Sequence, residues 1–350
     1  MSEVYSLERA GSWFLDSGIQ EPSGGVARFY LADSETNKPV SSEITGYSAS
    51  ALAFLYCITK KDVYLEAARR AAHFLTDQAW DPTLGIFPYE LHSNLAYFFD
   101  SGIIVRGLLA VWRITREQKL LDVAVAAARG MLKDFHSGSD FHPIVELPGK
   151  TAVERDRHWS RSAACYQAKS ALAWWEIGEI TGEASLRDAY LEMIASSLDS
   201  SRDFLPGTSE RAGVMDRLHP AGYFLEALSP LLDRKEGKGC VEAYRYTMDR
   251  VTLYLRNIAP EFARSDVYAQ LLRARVYAAS VIPVDRALAR EEAEALAAFQ
   301  RPDGGFWFGR RGGDIIPHVN PVSTTFAIQA LEVWQAFESG SPNPCRYPTI

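Results

Sequence analysis

Two acidic residues stand at nearly equivalent places in neighbouring segments, where they could cleave a glycosidic bond. Glu43 lies one helical turn before Tyr47, and Asp100 lies two residues before Gly102. Each stands at the start of an apolar run that predicts a helix. Glycoside hydrolysis uses two carboxyl groups, one to donate a proton and one to activate water or attack the sugar. Helix capping is the alternative role for acids in a first turn.

Residues 154–161 form the most charged segment and supply a second group of candidates. Because a guanidinium binds a carboxylate bidentately, basic residues here predict an anionic ligand such as a uronic acid or sulfated sugar. A local network of surface ion pairs is the alternative. His158 is also a candidate acid or base, since histidine titrates near neutral pH. The candidates for binding here, and at the equivalent place in the next repeat, are Arg157, His158, Trp159, Arg217 and His219.

The remaining candidates are aromatic or histidine side chains in loops or at helix starts. Flat aromatic faces with polar rims suit sugar rings, although such residues also pack loops onto a core. Tyrosine or histidine could also act as the base in β-elimination of a uronate polymer. These candidates for substrate binding are Tyr47, His92, Trp307 and His318.

A repeat of paired helices is predicted to position these residues. An apolar helix, a short polar turn and an amphipathic helix recur from Gly46, Gly102 and Tyr166, with weaker copies later. The last apolar helix has no partner after it, and the amphipathic segment 5–16 has none before it. Every apolar helix has an amphipathic partner only if the last apolar helix packs against the segment 5–16. The sequence therefore predicts an all-α ring of six hairpins, an (α/α)6 toroid, with apolar helices inside. An open superhelix is the alternative.

Loop lengths predict which face of the ring carries the site. The turns from inner to outer helices are mostly short, whereas the returns are mostly long. Long loops on a rigid scaffold often carry function, and here they gather over the N-termini of the inner helices. The long returns span about residues 19–40, 79–97, 135–160, 200–217 and 301–320.

Composition narrows the classes of function. The chain has 350 residues and a net charge of −7, which argues against a general nucleic-acid binder. The four cysteines form no metal-binding or disulfide pattern, so neither metal nor cofactor is expected. No signal peptide is recognisable, and the longest apolar stretch, 49–58, is too short to span a membrane. We expect one cytoplasmic domain over residues 1–350.

The predicted ring, the helix-ending turn from Asp81 to Phe87, and the helix starts at Glu43 and Asp100 together resemble the six-hairpin glycosidase superfamily. This superfamily includes unsaturated glucuronyl hydrolases and sugar 2-epimerases, with related polysaccharide lyases and glucuronyl epimerases. The resemblance implies that Glu43 and Asp100 are the acid pair of a hydrolase. It also implies that the arginine and histidine cluster is a uronate clamp.

The segment from Gln300 to Trp307 also resembles the repeat of terpene cyclases and protein prenyltransferases, which share a similar toroid. The chain departs from that pattern, because it has neither the aspartate-rich cyclase motif nor an evident zinc-ligand set. It also lacks the cysteine–histidine pairs of lanthionine cyclases.

The combined prediction is an enzyme acting on an anionic oligosaccharide or polysaccharide, a hydrolase first and a lyase or epimerase next. Glu43, Asp100 and His158 are its predicted catalytic residues. A non-catalytic toroid that binds a glycan or a protein in polysaccharide assembly is one alternative. An isoprenoid enzyme of the cyclase or prenyltransferase kind is the other.

Overall fold

The computed structural model describes residues 5–137, 140–154, 159–205 and 211–342, without the side chains of Ser137, Asp140 and Trp159. Within these ranges twelve α-helices alternate between an inner and an outer ring. The inner helices are α2 (Ser42–Thr59), α4 (Phe98–Thr115), α6 (Ala168–Thr181), α8 (Arg211–Leu228), α10 (Ser265–Tyr277) and α12 (Pro321–Ser339). The outer helices are α1 (Leu7–Asp16), α3 (Asp62–Phe74), α5 (Gln118–Asp134), α7 (Ala184–Ser200), α9 (Cys240–Ile258) and α11 (Arg286–Ala297).

The inner helices contact one another in chain order, and α12 also contacts α2. They are buried on nearly all sides, as their apolar sequences predict, whereas α1 buries only the stripe that contains Ala10, Trp13 and Phe14. Helix α1 contacts α12, α2 and α3. Just before it, the backbone of Ser6 exchanges two hydrogen bonds of 2.8 and 2.9 Å with the side chain of Gln300. None of the described helices is long and apolar enough to cross a membrane.

Short strands stiffen the long loops. Three small antiparallel sheets have the strand orders β11-β1-β2, β10-β9-β8 and β3-β6-β7, and β4 pairs with β5. The first sheet joins the first and last long loops, since Tyr30 pairs with Val319. The strands are β1 (Tyr30–Leu31), β2 (Thr36–Asn37), β3 (Leu95–Tyr97), β4 (His136–Ser137), β5 (Asp140–Phe141), β6 (Ile144–Glu146), β7 (Thr151–Ala152), β8 (Phe262–Arg264), β9 (Gly309–Arg311), β10 (Asp314–Ile315) and β11 (His318–Val319).

Two glycines allow the inner helices to approach closely. A Cβ atom at Gly46 on α2 would lie 2.9 Å from the Cα atom of Ile104 on α4. A Cβ atom at Gly102 on α4 would lie 2.6 Å from the Cα atom of Ser170 on α6. Since real Cβ atoms do not pack at such distances, only glycine permits these contacts. They bring the first turns of α2 and α4, and the N-terminal half of α6, close together.

Candidate functional site

Glu43 and Asp100 occupy the first turns of neighbouring inner helices, at the end of the ring where the long loops gather. The cap of α2 is Ser41, whose side chain accepts a hydrogen bond from the backbone N–H of Ile44, so Glu43 is not needed as the cap. Glu43 is partly exposed, whereas Asp100 is 8% exposed. The Oδ2 atom of Asp100 is buried and has no hydrogen-bond partner among the described residues.

The two acids interact electrostatically with each other. Burial raises the pKa of Glu43 to about 7, against the opposing effects of the positive charges of Arg28 and Lys169. Burial and then the negative charge of Glu43 raise the pKa of Asp100 well above its usual range. Near neutral pH the carboxyl of Glu43 therefore titrates, and the protonated form of Asp100 is favoured relative to that of an exposed aspartate; this is the direction expected for a general acid beside a carboxylate partner. We call these two residues the carboxylate pair.

Arg28 brings a positive charge to the carboxylate pair from the first long loop. Its guanidinium donates hydrogen bonds of 2.6 Å to the hydroxyl of Tyr89 and 2.6 Å to the carboxylate of Glu90. Its charge lowers the pKa of both members of the pair. Sequence reasoning missed Arg28, because nothing in the pattern of the loop indicates that it folds back over α2 and α4.

We call a second group of ionisable residues the histidine cluster. It contains His219 from α8, Asp266 from α10, Arg264 from the end of β8 and His318 from the last long loop. The Nδ1 atom of His219 lies 2.8 Å from Oε1 of Gln270 and 3.3 Å from a carboxylate oxygen of Asp266. Arg264 donates two hydrogen bonds to Asp266, of 3.0 and 2.6 Å, and one of 2.9 Å to Asp216. Burial lowers the pKa of His219 to about 4, so its imidazole is neutral at physiological pH.

His318 reaches the histidine cluster from the last long loop. Its ring stacks on Phe308 with centroids 4.6 Å apart and lies 5.1 Å from the ring of Phe29. The guanidinium of Arg264 lies 4.6 Å from the centroid of the Phe308 ring, on which His318 stacks. Burial lowers the pKa of His318, so this imidazole too is held in its neutral form.

Aromatic rings connect the carboxylate pair with the histidine cluster. The hydroxyl of Tyr47 donates to that of Tyr223 at 3.1 Å, and the Tyr223 ring lies 4.4 Å from the ring of His219. Tyr223 also lies 4.9 Å from Phe99, the neighbour of Asp100 in the chain. Together these residues form one continuous network of side-chain contacts at this end of the ring, which we call the mouth.

Beneath the mouth lies a buried ionic group from three inner helices, Lys169, Glu226 and Arg273, which we call the bore triad. Each of the three is at most 2% exposed. The Lys169 ammonium and the Arg273 guanidinium donate to different oxygens of the Glu226 carboxylate, and Arg273 also donates to Gln329 at 2.6 Å. Sequence reasoning missed the triad, although charged residues within otherwise apolar helices are a recognisable signal.

The structure brings several of the predicted site residues together. Glu43, Asp100, Tyr47, His219 and His318 all border the mouth. Arg157 and His158 lie outside the described residues, as does the side chain of Trp159.

Three predicted residues make other contacts. His92 is exposed, has a left-handed backbone with φ of 68°, and lines a groove of about 570 Å³ beside Trp80. The ring of Trp307 lies 4.3 Å from the guanidinium of Arg301, while the following residue, Phe308, faces the mouth. Arg217 donates to the carbonyl of Phe204 at 3.4 Å.

Comparison with known proteins identifies the fold. The sequence matches no protein-family model and no curated protein. The structure is similar to that of cellobiose 2-epimerase from Spirochaeta thermophila DSM 6192, with a TM-score of 0.73, 12% identity and coverage of 95% of this chain and 97% of that one. The chain has the (α/α)6 toroid fold.

Two further toroids are similar over the same extent. One is an unsaturated glucuronyl hydrolase specific for heparin, with a TM-score of 0.70 and 10% identity over 95% of this chain and 96% of that one. The other is a D-mannose isomerase, with a TM-score of 0.69 and 10% identity over 95% of this chain and 96% of that one. The predicted fold and the resemblance to six-hairpin toroids are therefore confirmed.

The part of the toroid that the structure describes contains no group of three or more histidine, cysteine, aspartate or glutamate side chains arranged to hold a metal ion.

Proposed function

We propose that this toroid is a carbohydrate-active enzyme, and that it is a glycoside hydrolase working through the carboxylate pair. The observation that carries the proposal is the electrostatic interaction of two acids, the partly exposed Glu43 and the buried Asp100, at the end of the ring where the long loops gather. Coupled carboxyl groups with displaced pKa values are costly to bury and are typical of functional sites. The three similar toroids are named for the conversion of saccharides, as an epimerase, a hydrolase and an isomerase, which supports the same class.

In the proposed reaction one member of the carboxylate pair donates a proton, and the other attacks the sugar or accepts a proton from water. Asp100, which keeps its proton, donates it to the glycosidic oxygen as the bond to the anomeric carbon breaks and the alcohol leaves. Glu43, as the carboxylate, either attacks the anomeric carbon or takes a proton from the water that does so. Water supplies the hydroxyl group of the new reducing end, and its proton restores the starting charge of the pair.

An anionic substrate remains a prediction from the basic residues Arg157, His158 and Arg217. The described cations that border the mouth already have carboxylate partners, since Arg28 pairs with Glu90 and Arg264 pairs with Asp266. Recognition of a uronate therefore depends on the charged segment 154–161 more than on these two arginines.

The second candidate is an epimerase or isomerase that works on a free sugar through the histidine cluster. Its support is that His219 and His318 are both held as neutral imidazoles, which can accept a proton near neutral pH. One imidazole would remove the proton from the carbon next to the carbonyl of an open-chain sugar. The resulting enediolate would be reprotonated at C2, from the other face in an epimerase, or at C1 in an isomerase.

The deciding experiment assays wild type and four variants against one panel of sugars. The panel contains saturated and unsaturated uronate disaccharides, neutral disaccharides and free aldoses. Release of reducing ends reports hydrolysis, and deuterium incorporation from D₂O at the α-carbon reports proton abstraction. Hydrolysis that is lost in Glu43→Gln and Asp100→Asn but kept in the exposed control His73→Asn supports the first candidate.

The other outcomes contradict the hydrolase proposal. Deuterium exchange that is lost in His219→Asn but kept in both carboxylate variants favours the epimerase or isomerase. Calorimetric binding of a panel sugar with no turnover, and with unchanged affinity in the carboxylate variants, favours a binding toroid.

A further inference from the structure

The bore triad holds more positive than negative side chains. Lys169 and Arg273 share the single carboxylate of Glu226, and all three side chains are withdrawn from water. An ion in a protein interior is strongly disfavoured unless opposite charge compensates it. One carboxylate and one cation already form a balanced pair. The second cation, Lys169, therefore either loses its proton or is matched by a further negative charge nearby; burial lowers the pKa of Lys169 to about 7, against the opposing effect of the Glu226 carboxylate.

Lys169 lies directly under the carboxylate half of the mouth. Its Nζ atom is 4.3 Å from the ring centroid of Tyr223, 4.7 Å from that of Phe326 and 5.1 Å from that of Tyr47. Tyr47 lies one turn after Glu43 on α2, so the floor of the mouth is a layer of aromatic rings above the ammonium. Ring faces tolerate a cation but do not neutralise it.

Two positive charges act on the carboxylate pair, with different results. Arg28 lowers the pKa of both acids, so it does not distinguish between them. Lys169 lowers the pKa of Glu43. Gly102 lets α4 approach α6 closely at Ser170, the residue that follows Lys169.

We propose that Lys169 is a positioning residue of the mouth, whose buried ammonium beneath Tyr47 favours the carboxylate form of Glu43. The assignment of Glu43 as carboxylate partner and Asp100 as proton donor rests on the proposed hydrolase function. The charge coupling between Lys169 and Glu43 does not rest on it.

Other charged groups face both residues and set the background for this coupling. Glu43 also faces the charge of Arg28 from the first long loop, Asp100 on α4 and the phenol of Tyr223 on α8. The groups that face Lys169 are Arg106 on α4, His219 and Glu226 on α8, and Arg273 on α10. A test must therefore change Lys169 alone and follow Glu43 directly.

The test is an NMR titration of the Glu43 carboxyl carbon in protein labelled with ¹³C at glutamate side chains, the signal being assigned with Glu43→Gln. Lys169→Met removes the charge at similar volume and leaves the Glu226–Arg273 pair balanced. The expected result is a rise in the Glu43 midpoint of about one pH unit or more. Lys169→Arg, which keeps the charge, should titrate close to wild type. The control Lys119→Met, an exposed lysine on α5, should also match wild type.

An unchanged Glu43 midpoint in folded Lys169→Met overturns the proposal. If that variant does not fold, the reciprocal measurement decides, because coupling between two sites is the same in both directions. The ¹⁵Nζ signal of Lys169 is then titrated in Glu43→Gln. Loss of the neighbouring carboxylate should lower the Lys169 midpoint relative to wild type, and an unchanged midpoint again overturns the proposal.

These titrations separate the two proposals. If the Glu43 midpoint shifts but the protein has no hydrolase activity, the charge coupling between Lys169 and Glu43 stands and only the proposed catalytic roles are wrong. If the protein is a hydrolase but the Glu43 midpoint does not shift, the proposed function stands and Lys169 has no part in it. Where activity is found, the acidic limb of the pH–rate profile should move upward in Lys169→Met by the same amount as the midpoint.

Discussion

The two halves of the mouth, the histidine cluster and the carboxylate pair, differ in how their charged groups are compensated. In the histidine cluster every ionised group has an opposite partner, because Asp266 lies between His219 and Arg264, and Arg264 also reaches Asp216. In the carboxylate pair two acids face each other, the charge of Glu43 disfavours the ionised form of Asp100, and Oδ2 of Asp100 has no hydrogen-bond partner in the described chain. The histidine half is satisfied as it stands, whereas the carboxylate half is completed only by a proton or a substrate. Local arrangements that oppose stability are expected where function requires them.

The largest expected effect is on the carboxylate half. Glu43→Gln and Asp100→Asn should each lower kcat/KM by about 10²- to 10⁴-fold, because each removes a proton-transfer group. Neither change should lower the melting temperature, since each replaces an acid whose charged form is disfavoured by burial with a neutral amide of similar shape. The measurement is steady-state kinetics on a substrate found in the panel, together with thermal unfolding. Glu183→Gln, on the outer surface, is the control. Full activity in either mouth variant would remove that residue from the mechanism.

The next effect is on the stability of the histidine half. Arg264→Met would leave the buried Asp266 without its guanidinium, which should lower the free energy of unfolding by about 3–5 kcal/mol. Arg217→Met is the matched control, because Arg217 makes one long hydrogen bond to a carbonyl and should cost about 1 kcal/mol or less. Urea denaturation followed by circular dichroism measures both. Equal losses in the two variants would contradict the view that this half is held by its ion pairs.

A smaller effect is expected where α2 and α4 meet. Gly46→Ala would place a methyl group 2.9 Å from the backbone of Ile104, so the two helices must separate. We expect a loss of about 1–3 kcal/mol in unfolding free energy, with reduced turnover as the carboxylate pair is displaced. In the control Gly149→Ala the new methyl group meets only the side chain of Thr151 at 3.3 Å. Equal stability in both variants would show that the close approach is not required.

The smallest expected effect is on the pH dependence of turnover, which distinguishes a reaction at the carboxylate pair from one at the histidine cluster. If Glu43 must be ionised, kcat should fall about tenfold per pH unit as the pH drops below about 7, where its carboxylate takes up a proton. If the neutral imidazole of His219 is the base instead, the fall should begin only near pH 4. A pH–rate profile of wild type under saturating substrate separates these cases. An acidic limb near 4 would transfer the chemistry to the histidine half.

Sequence reasoning identified the ring and half of the mouth for a physical reason. Helices that are apolar all round must be buried, and equivalent positions in successive repeats fall at the same level of a ring, so Glu43 and Asp100 could be placed together. The same reasoning placed His219 and His318 at the correct end of the ring. These predictions depend on periodicity, which one sequence displays directly.

The other contacts depend on loop conformation and on pairing across the bore. Trp307 was selected as the stacking residue, yet its neighbour Phe308 faces His318, because successive residues of an extended segment point in opposite directions. The bore triad joins α6, α8 and α10 through side chains far apart in the chain. No local pattern specifies which helix faces which across a ring, so Lys169 and Glu226 could not be paired from sequence.

The hydrogen bonds between Ser6 and Gln300 span 294 residues, and His318 packs against Phe29 at the mouth. During synthesis the ribosome must therefore release nearly the whole chain before the mouth can assemble. Contacts of such long sequence separation are slow to form, because the intervening segment loses entropy first. The nascent chain is thus exposed for longest at the apolar flanks of α2 that α12 later covers. A chaperone that shields these flanks would act before the protein has any site with which to bind its own ligand.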